Sequence, residues 1–282
     1  MSATAPVLRS TSIWFSPRLV SFYSVAGGLL LWEILFDLIA RTSLYESFAI
    51  GHFLSSPVRI VQTFIEFLSN GELLEHCYFS LLEFVYGYLL AVAVGIPLGA
   101  LMALRRKLNH FLDPWVSCLY ATPRVALAPL VMIWFGLGII PNSLIVFLGA
   151  VFPILLNTYT GIKSVQDNLV EVARAFGGSP LQIFFKVMLP DAIPAIMAGL
   201  RLAVGRAVIG VVVAEWFGAE AGLGYMVYFY AQLFQPGPVF VGIVILVIFG
   251  HLAFICLERI QNWISPWHKL QGQAQIAGME ME

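Results

Sequence analysis

Three stretches of this 282-residue sequence are free of Asp, Glu, Lys and Arg over lengths that match a lipid bilayer: Phe84–Leu104, Val125–Ile162 and Phe240–Leu257. A helix needs about 20 apolar residues to cross the hydrocarbon core, and Val125–Ile162 is long enough to do so twice. Inside lipid the chain has to satisfy its own backbone groups, so such runs fold as helices or close into a barrel. Alternating strands of about ten residues, the mark of a barrel, are absent. Composition agrees: 60% of residues are hydrophobic, 11% are charged and mean hydropathy is +0.87, whereas soluble domains carry about 25% charged residues. The chain is predicted to be an all-α integral membrane protein.

Six spans are predicted, near residues 20–40, 81–104, 116–136, 141–162, 194–216 and 239–257. Lysine and arginine counts in the connections set orientation. With the N-terminus inside, the inner connections hold ten of the fifteen, and the outer ones hold only Arg41 and Arg59. The other three, Arg124, Arg201 and Arg206, fall within spans. Both termini and the 163–192 connection are therefore expected in the cytoplasm. This divides the chain into a cytoplasmic tail (1–19), one transmembrane domain (20–257) and a second cytoplasmic tail (258–282). The N-terminus lacks a compact apolar core with a small-residue cleavage site, so no removed signal peptide is expected.

Other features narrow the reading. A net charge of −1 argues against a nucleic-acid partner. Cys77, Cys118 and Cys256 have no metal-ligand or pairing pattern and read as small buried apolar residues. Pro57–Leu68 repeats apolar residues at helical spacing but is too short to span, which predicts an amphipathic helix at the outer surface. Glu46, Glu66, Glu72 and Glu75 make that side mildly acidic, as a solvated face would be. Gly87, Ala91, Gly95, Gly99 and Ala103 form a ladder with one small residue every four positions. Such a stripe admits a close helix neighbour, either within the chain or across a dimer seam. Pro97 implies a kink, and Phe135–Ser143 reads as a tight turn with Pro141 starting the next helix.

The 163–192 connection is moderately polar and carries its own helical signals. Asp167 is a candidate N-cap, followed by Leu169, Val170, Ala173 and Phe176 on one face. Gly177-Gly178-Ser179-Pro180 breaks that helix, with a glycine suited to a left-handed C-terminal cap and a proline to open the next helix. Leu181, Phe184, Phe185 and Met188 give the second helix an apolar face, and Leu189-Pro190 is expected to stop it. The predicted unit is a helix–turn–helix with exposed apolar faces, suited to a groove in a soluble partner.

Glu171-Val172-Ala173, Gly177 six residues after the Glu, and Val187-Met188-Leu189-Pro190 resemble the EAA loop of ABC-importer permeases. Val172 stands where the family has alanine and Val187 where it has isoleucine. The resemblance covers approximately residues 30–267. It includes Trp32-Glu33, Ser56-Pro57, Gly71–His76, Ala128-Pro129-Leu130, Trp134–Gly138, Ala221–Tyr225 and Ser265–His268, and it is similar to the nitrate/taurine/alkanesulfonate branch. It implies a bacterial inner-membrane permease for a small anion such as a sulfonate, taurine or nitrate. Its implied partners are a second permease copy, expected as a homodimer, two cytoplasmic ATPase subunits, an extracytoplasmic substrate-binding protein and membrane lipid. Contact with the ATPases is implied for Glu171, Ala173, Arg174, Gly177, Ser179, Pro180, Leu189 and Pro190. No cofactor is expected on this chain, with ATP-Mg held by the partner. The sequence has no G-x-x-x-x-G-K-[ST] and no nucleophile–base or zinc-ligand constellation, so no enzymatic centre is expected.

Charges within spans are costly unless they pair, snorkel or face a cavity. Arg201 is expected to reach the cytoplasmic interface. Arg124 and Arg206 either line an anion pathway or pair internally with Glu33, Asp37 or Glu215. His251 is read as a hydrogen-bonded core residue. The competing class, an ion-gradient-driven secondary transporter or channel, would show inverted halves and paired midplane acids.

Overall fold

A computed structural model describes residues 17–42 and 54–265, and all regular elements among them are helical. Most of each tail, Glu46 and the Pro266-Trp267-His268 match lie outside the described residues. In chain order the helices are α1 (Pro17–Ala40), α2 (Pro57–Ser69), α3 (Glu72–Leu104), α4 (Arg106–Ala121), α5 (Ala128–Phe135), α6 (Ile139–Lys163), α7 (Asp167–Ala175), α8 (Pro180–Ile183), α9 (Leu189–Gly218), α10 (Leu223–Gln232) and α11 (Pro236–Ile264). Five are long and apolar enough to cross a membrane, and a bent pair brings the number to six.

At the centre lies α6, packed between α3 and α9. Val146, Ala150 and Ile154 on α6 are fully enclosed, as are Ala91 on α3 and Ala203 and Ala207 on α9. The small-residue ladder supplies this packing. A Cβ at Gly87 would stand 2.4 Å from the Ser143 carbonyl oxygen, and one at Gly99 2.5 Å from that of Leu155. Both contacts are with α6 of the same chain, so the ladder serves the fold and not a dimer seam. Glycines on α9 mirror it: a Cβ at Gly199 or Gly210 would meet Asn157 or Val146 at 2.5 and 3.0 Å. Peripheral α1 and α11 leave most of their surface uncovered by the rest of the chain. There Cys256 is exposed; Cys118 is exposed on α4 and Cys77 partly so, against the expectation of burial. In lipid, apolar residues gain nothing by leaving the outer surface.

Two corrections concern prolines. The expected span 116–136 is broken: α4 and the segment Arg124–Phe135, a 3-10 turn followed by α5, meet at 89°. Proline disfavours helical backbone in the residue before it, and Thr122 is extended, with φ −66° and ψ 132°. Leu189-Pro190, conversely, does not end a helix. Residues Pro180–Gly218 form one continuous rod of 39 residues. A π turn at Phe184–Met188 makes this possible. In it the Leu189 N–H reaches back five residues to the Phe184 carbonyl. This wide turn makes room for the Pro190 ring, which would otherwise press on the carbonyl four residues earlier. Pro141 lies in the first turn of α6, two residues after its start. The sequence did not foresee α10, which begins within the Ala221–Tyr225 motif.

Candidate functional site

Between α6 and α9 the chain forms a compact turn. Asp167 is the first residue of α7 and not its cap, a position filled by Gln166 without a side-chain bond. The acid still lies in the first turn, where the helix dipole favours it. At the other end Gly177 adopts φ +78°. Its N–H donates to the Arg174 carbonyl (2.9 Å), and the Gly178 N–H donates to that of Ala173 (3.1 Å). These two bonds make a Schellman cap, which needs the left-handed residue that glycine supplies. Ser179 then opens α8 with a reciprocal box. The Ser179 N–H donates to Gln182 Oε1 (2.9 Å), while the Ser179 hydroxyl accepts from the Gln182 N–H (3.3 Å). Pro180 fills the first helical position.

The apolar faces divide differently from the sequence reading. Phe184 and Met188 pack against the core, and Ile183 is buried. Leu169, Val172, Phe176, Leu181 and Phe185 are exposed, Phe176 by 89%. Glu171 and Arg174 are exposed beside them. These apolar side chains cluster beside a polar turn, and exposed groups of this kind are the sort of surface that proteins use for contact. Leu189 and Pro190 are half-buried and belong to the rod leading into α9.

A second feature lies at the broken span. A cavity of about 370 Å³ is lined by Tyr120, Thr122, Arg124, Gly149, Arg206 and neighbouring apolar residues of α6 and α9. The two arginines that the sequence singled out thus share one cavity. None of the carboxylates suggested as internal partners reaches them. Glu33 accepts the Val58 N–H, Asp37 pairs with Arg41 at 2.9 Å, and Glu215 is held by Ser80 and α10. Arg124 lies at the break itself. Its guanidinium donates to the Tyr120 carbonyl (3.2 Å) and stands 5.3 and 5.8 Å from the Tyr120 and Phe152 ring centres. Its Nε is enclosed and has no hydrogen-bond partner among the described residues. Two cations facing one cavity, with no counter-charge paired to them among the described residues, suit an anion. Sequence reasoning missed Tyr120 and Thr122, although the Thr122-Pro123 pair was the available signal of a break.

The remaining intramembrane groups are structural or peripheral. Arg201 donates to Gln261 Oε1 near the C-terminal end of α11, a structural link between two helices. His251 is exposed and lines an apolar groove between α9 and α11, not the core.

Comparison with known proteins agrees with this architecture. The chain is 37% identical to the aliphatic sulfonates transport permease protein SsuC of Bacillus subtilis, over 76% of this chain and 78% of that protein. It is 33% identical to the formylaminopyrimidine transport permease protein ThiX of Halalkalibacterium halodurans, over 86% and 93%. Identity to the taurine transport system permease protein TauC of Escherichia coli is also 33%, over 71% and 72%. Among solved structures, an inward-facing MetNI methionine ABC transporter chain superposes with a TM-score of 0.59 at 22% identity, covering 66% of this chain and 93% of that one. That likeness supports the fold. Residues 95–266 match the family described as binding-protein-dependent transport system inner membrane component. The chain belongs to that family, the multi-pass inner-membrane permeases of ABC importers.

Proposed function

We propose that this permease carries a small organic or inorganic anion, such as an alkanesulfonate, taurine or nitrate, through the cavity lined by Arg124 and Arg206. The observation that carries this reading is two arginines in one cavity with no carboxylate partner among the described residues. Charge-assisted hydrogen bonds are worth about 1.5–3 kcal/mol each, enough to offset part of an anion's lost hydration. The names of the sulfonate and taurine relatives fit such cargo.

In each copy the 167–188 segment docks one of two separate cytoplasmic ATPase subunits, which hold ATP-Mg; this chain binds no cofactor. Exposed Val172, Phe176, Leu181 and Phe185 supply the contact, with Glu171 and Arg174 at its polar edge. Ala173, Gly177, Ser179 and Pro180 shape it, and Leu189 and Pro190 join it to α9. Arg206 lies 26 residues along the same rod from Pro180, roughly 40 Å at 1.5 Å per residue. A movement imposed at the turn therefore reaches the cavity through one helix. Both termini lie in the cytoplasm, and a second copy of the chain completes the pathway as a homodimer. A substrate-binding protein delivers cargo at the opposite face.

The test is uptake by the full complex reconstituted with its ATPase and binding protein. Arg124→Gln and Arg206→Gln should each lower anion uptake about tenfold or more, with assembly and basal ATP hydrolysis retained. Unchanged uptake of every anion by both variants would overturn the pathway.

A further inference from the structure

At the end of the bundle away from the 167–188 segment, a buried polar cluster joins four helices. Glu83 on α3 and Glu215 on α9 are 2% and 1% exposed. Their carboxyl groups face each other within hydrogen-bonding reach. Glu215 is well supplied with donors. One oxygen accepts from the Ser80 hydroxyl (2.5 Å), and the other from the N–H groups of Gly224 (2.5 Å) and Tyr225 (3.3 Å). Ser80 in turn accepts the Leu223 N–H (2.8 Å), and His76 Nδ1 accepts that of Gly222 (3.0 Å). Four successive N–H groups at the start of α10, which would otherwise be orphans, are therefore held by α3 and by Glu215. Gly222 and Gly224 have to be glycine here: a Cβ on either would come within 2.3 or 2.8 Å of a Glu215 carboxyl atom.

Glu83 is bonded quite differently. One oxygen accepts from the Asn142 amide of α6 (2.7 Å), and the other has no donor among the described residues. Two ionised carboxylates at hydrogen-bond distance in an enclosed site repel strongly, and a shared proton removes the conflict. The donor count says where it sits. Glu215, with three donors, is the acceptor; Glu83, with a spare oxygen, is the acid. We propose that Glu83 and Glu215 share one proton, carried by Glu83, and that this acid–carboxylate bridge latches α10 to α3, α6 and α9. Glu83 and Glu215 are positioning residues in this account, touching neither cargo nor nucleotide.

Two substitutions distinguish a proton latch from simple packing. In Glu83→Gln the introduced amide donates to Glu215 and still offers Asn142 a carbonyl, so the latch survives without a proton. In Glu215→Gln one of the two acceptor oxygens becomes an N–H₂ group facing donors, and the latch opens. The full complex is measured by infrared spectroscopy and by amide exchange of residues 222–226. Wild type should show the carbonyl stretch of a protonated carboxylic acid, and Glu83→Gln should abolish it while leaving exchange and uptake within about twofold of wild type. Glu215→Gln should speed exchange at Gly224 and Tyr225 roughly tenfold to a hundredfold, as expected for losing bonds to a charged acceptor. A wild-type spectrum without that band, a band that persists in Glu83→Gln, or equal loss of protection in both variants overturns the proposal. Should Glu215→Gln fail to fold, the infrared comparison of wild type with Glu83→Gln still decides.

Discussion

Gly177 offers a way to disturb the proposed ATPase-docking turn without touching anything else. Its φ of +78° is left-handed, yet a Cβ there would meet no atom within 4 Å. Alanine at this position therefore adds backbone strain alone, about 1–2 kcal/mol for a non-glycine residue. Strain of that size shifts a conformational equilibrium roughly 5- to 30-fold. Opposing it are the two Schellman bonds, from Gly177 to Arg174 and from Gly178 to Ala173. An exposed turn weakened in this way relaxes when free and has to be re-formed on docking, so the cost appears as lost affinity for the ATPase. Asparagine tolerates the left-handed region better than alanine, so Gly177→Asn should recover most of the loss. Gly178 tests the opposite cause. Its φ is not left-handed, but a Cβ would stand 2.8 Å from the Ala173 oxygen and 3.2 Å from Ile183. The assay is titration of ATPase subunits onto the permease in lipid discs, with substrate-stimulated ATP hydrolysis as a second reading. Expected affinities fall in the order wild type, Gly177→Asn, Gly177→Ala, with Gly178→Ala weakest. Equal docking by Gly177→Ala and wild type, or identical defects for alanine and asparagine, would refute the argument that the left-handed turn shapes the surface.

Further outcomes follow from the same geometry. Ser179→Ala removes the capping box of α8 and should cost about 1 kcal/mol locally, read as faster amide exchange at residues 181–183 with the spans unaffected. Gly99→Val should prevent stable packing of α3 on α6, because its Cβ would meet the Leu155 backbone at 2.5 Å. Gly205→Ala is the control. It faces open space, and gains in helix propensity, so its thermal midpoint in detergent should equal or exceed that of wild type. A Gly99→Val protein as stable as Gly205→Ala would contradict the packing described for α6.

Much of the bundle could be read from the sequence because bilayer thickness sets a length that apolar runs have to match. That criterion is blind to direction. Residues 116–136 stay apolar through Thr122-Pro123, so a hydropathy window crosses the 89° break without registering it. It is also blind to short elements, and ten-residue α10 was recorded only as the motif Ala221–Tyr225. The Gly177 turn was legible because its chemistry is local: positive φ, a cap and a proline lie within four residues. The exposed face of the loop was less so, since Phe184 and Leu181 have equal apolar character and only the rod's path sends one inward. Arg124 and Arg206 could be singled out by depth, but their shared cavity depends on the break at Thr122-Pro123 and on α6 bringing Gly149 to its wall.

The prolines show why the site lies where it does. Pro190 was expected to stop a helix and does not, whereas Pro123 breaks a span expected to be continuous. Each removes one donor and presses on a carbonyl, and in lipid every freed backbone group needs a partner. At Pro190 the preceding π turn absorbs the disturbance, so the rod from the proposed docking surface to α9 stays whole. At Pro123 the chain turns instead. The Thr122 hydroxyl donates back to the Cys118 carbonyl (2.9 Å). The Arg124 guanidinium covers the Tyr120 carbonyl, and its Nε has no partner among the described residues. An arginine that closes a helix end in this way needs no carboxylate to be tolerated in the membrane. Its remaining hydrogen-bonding capacity is what the proposed anion path would draw on.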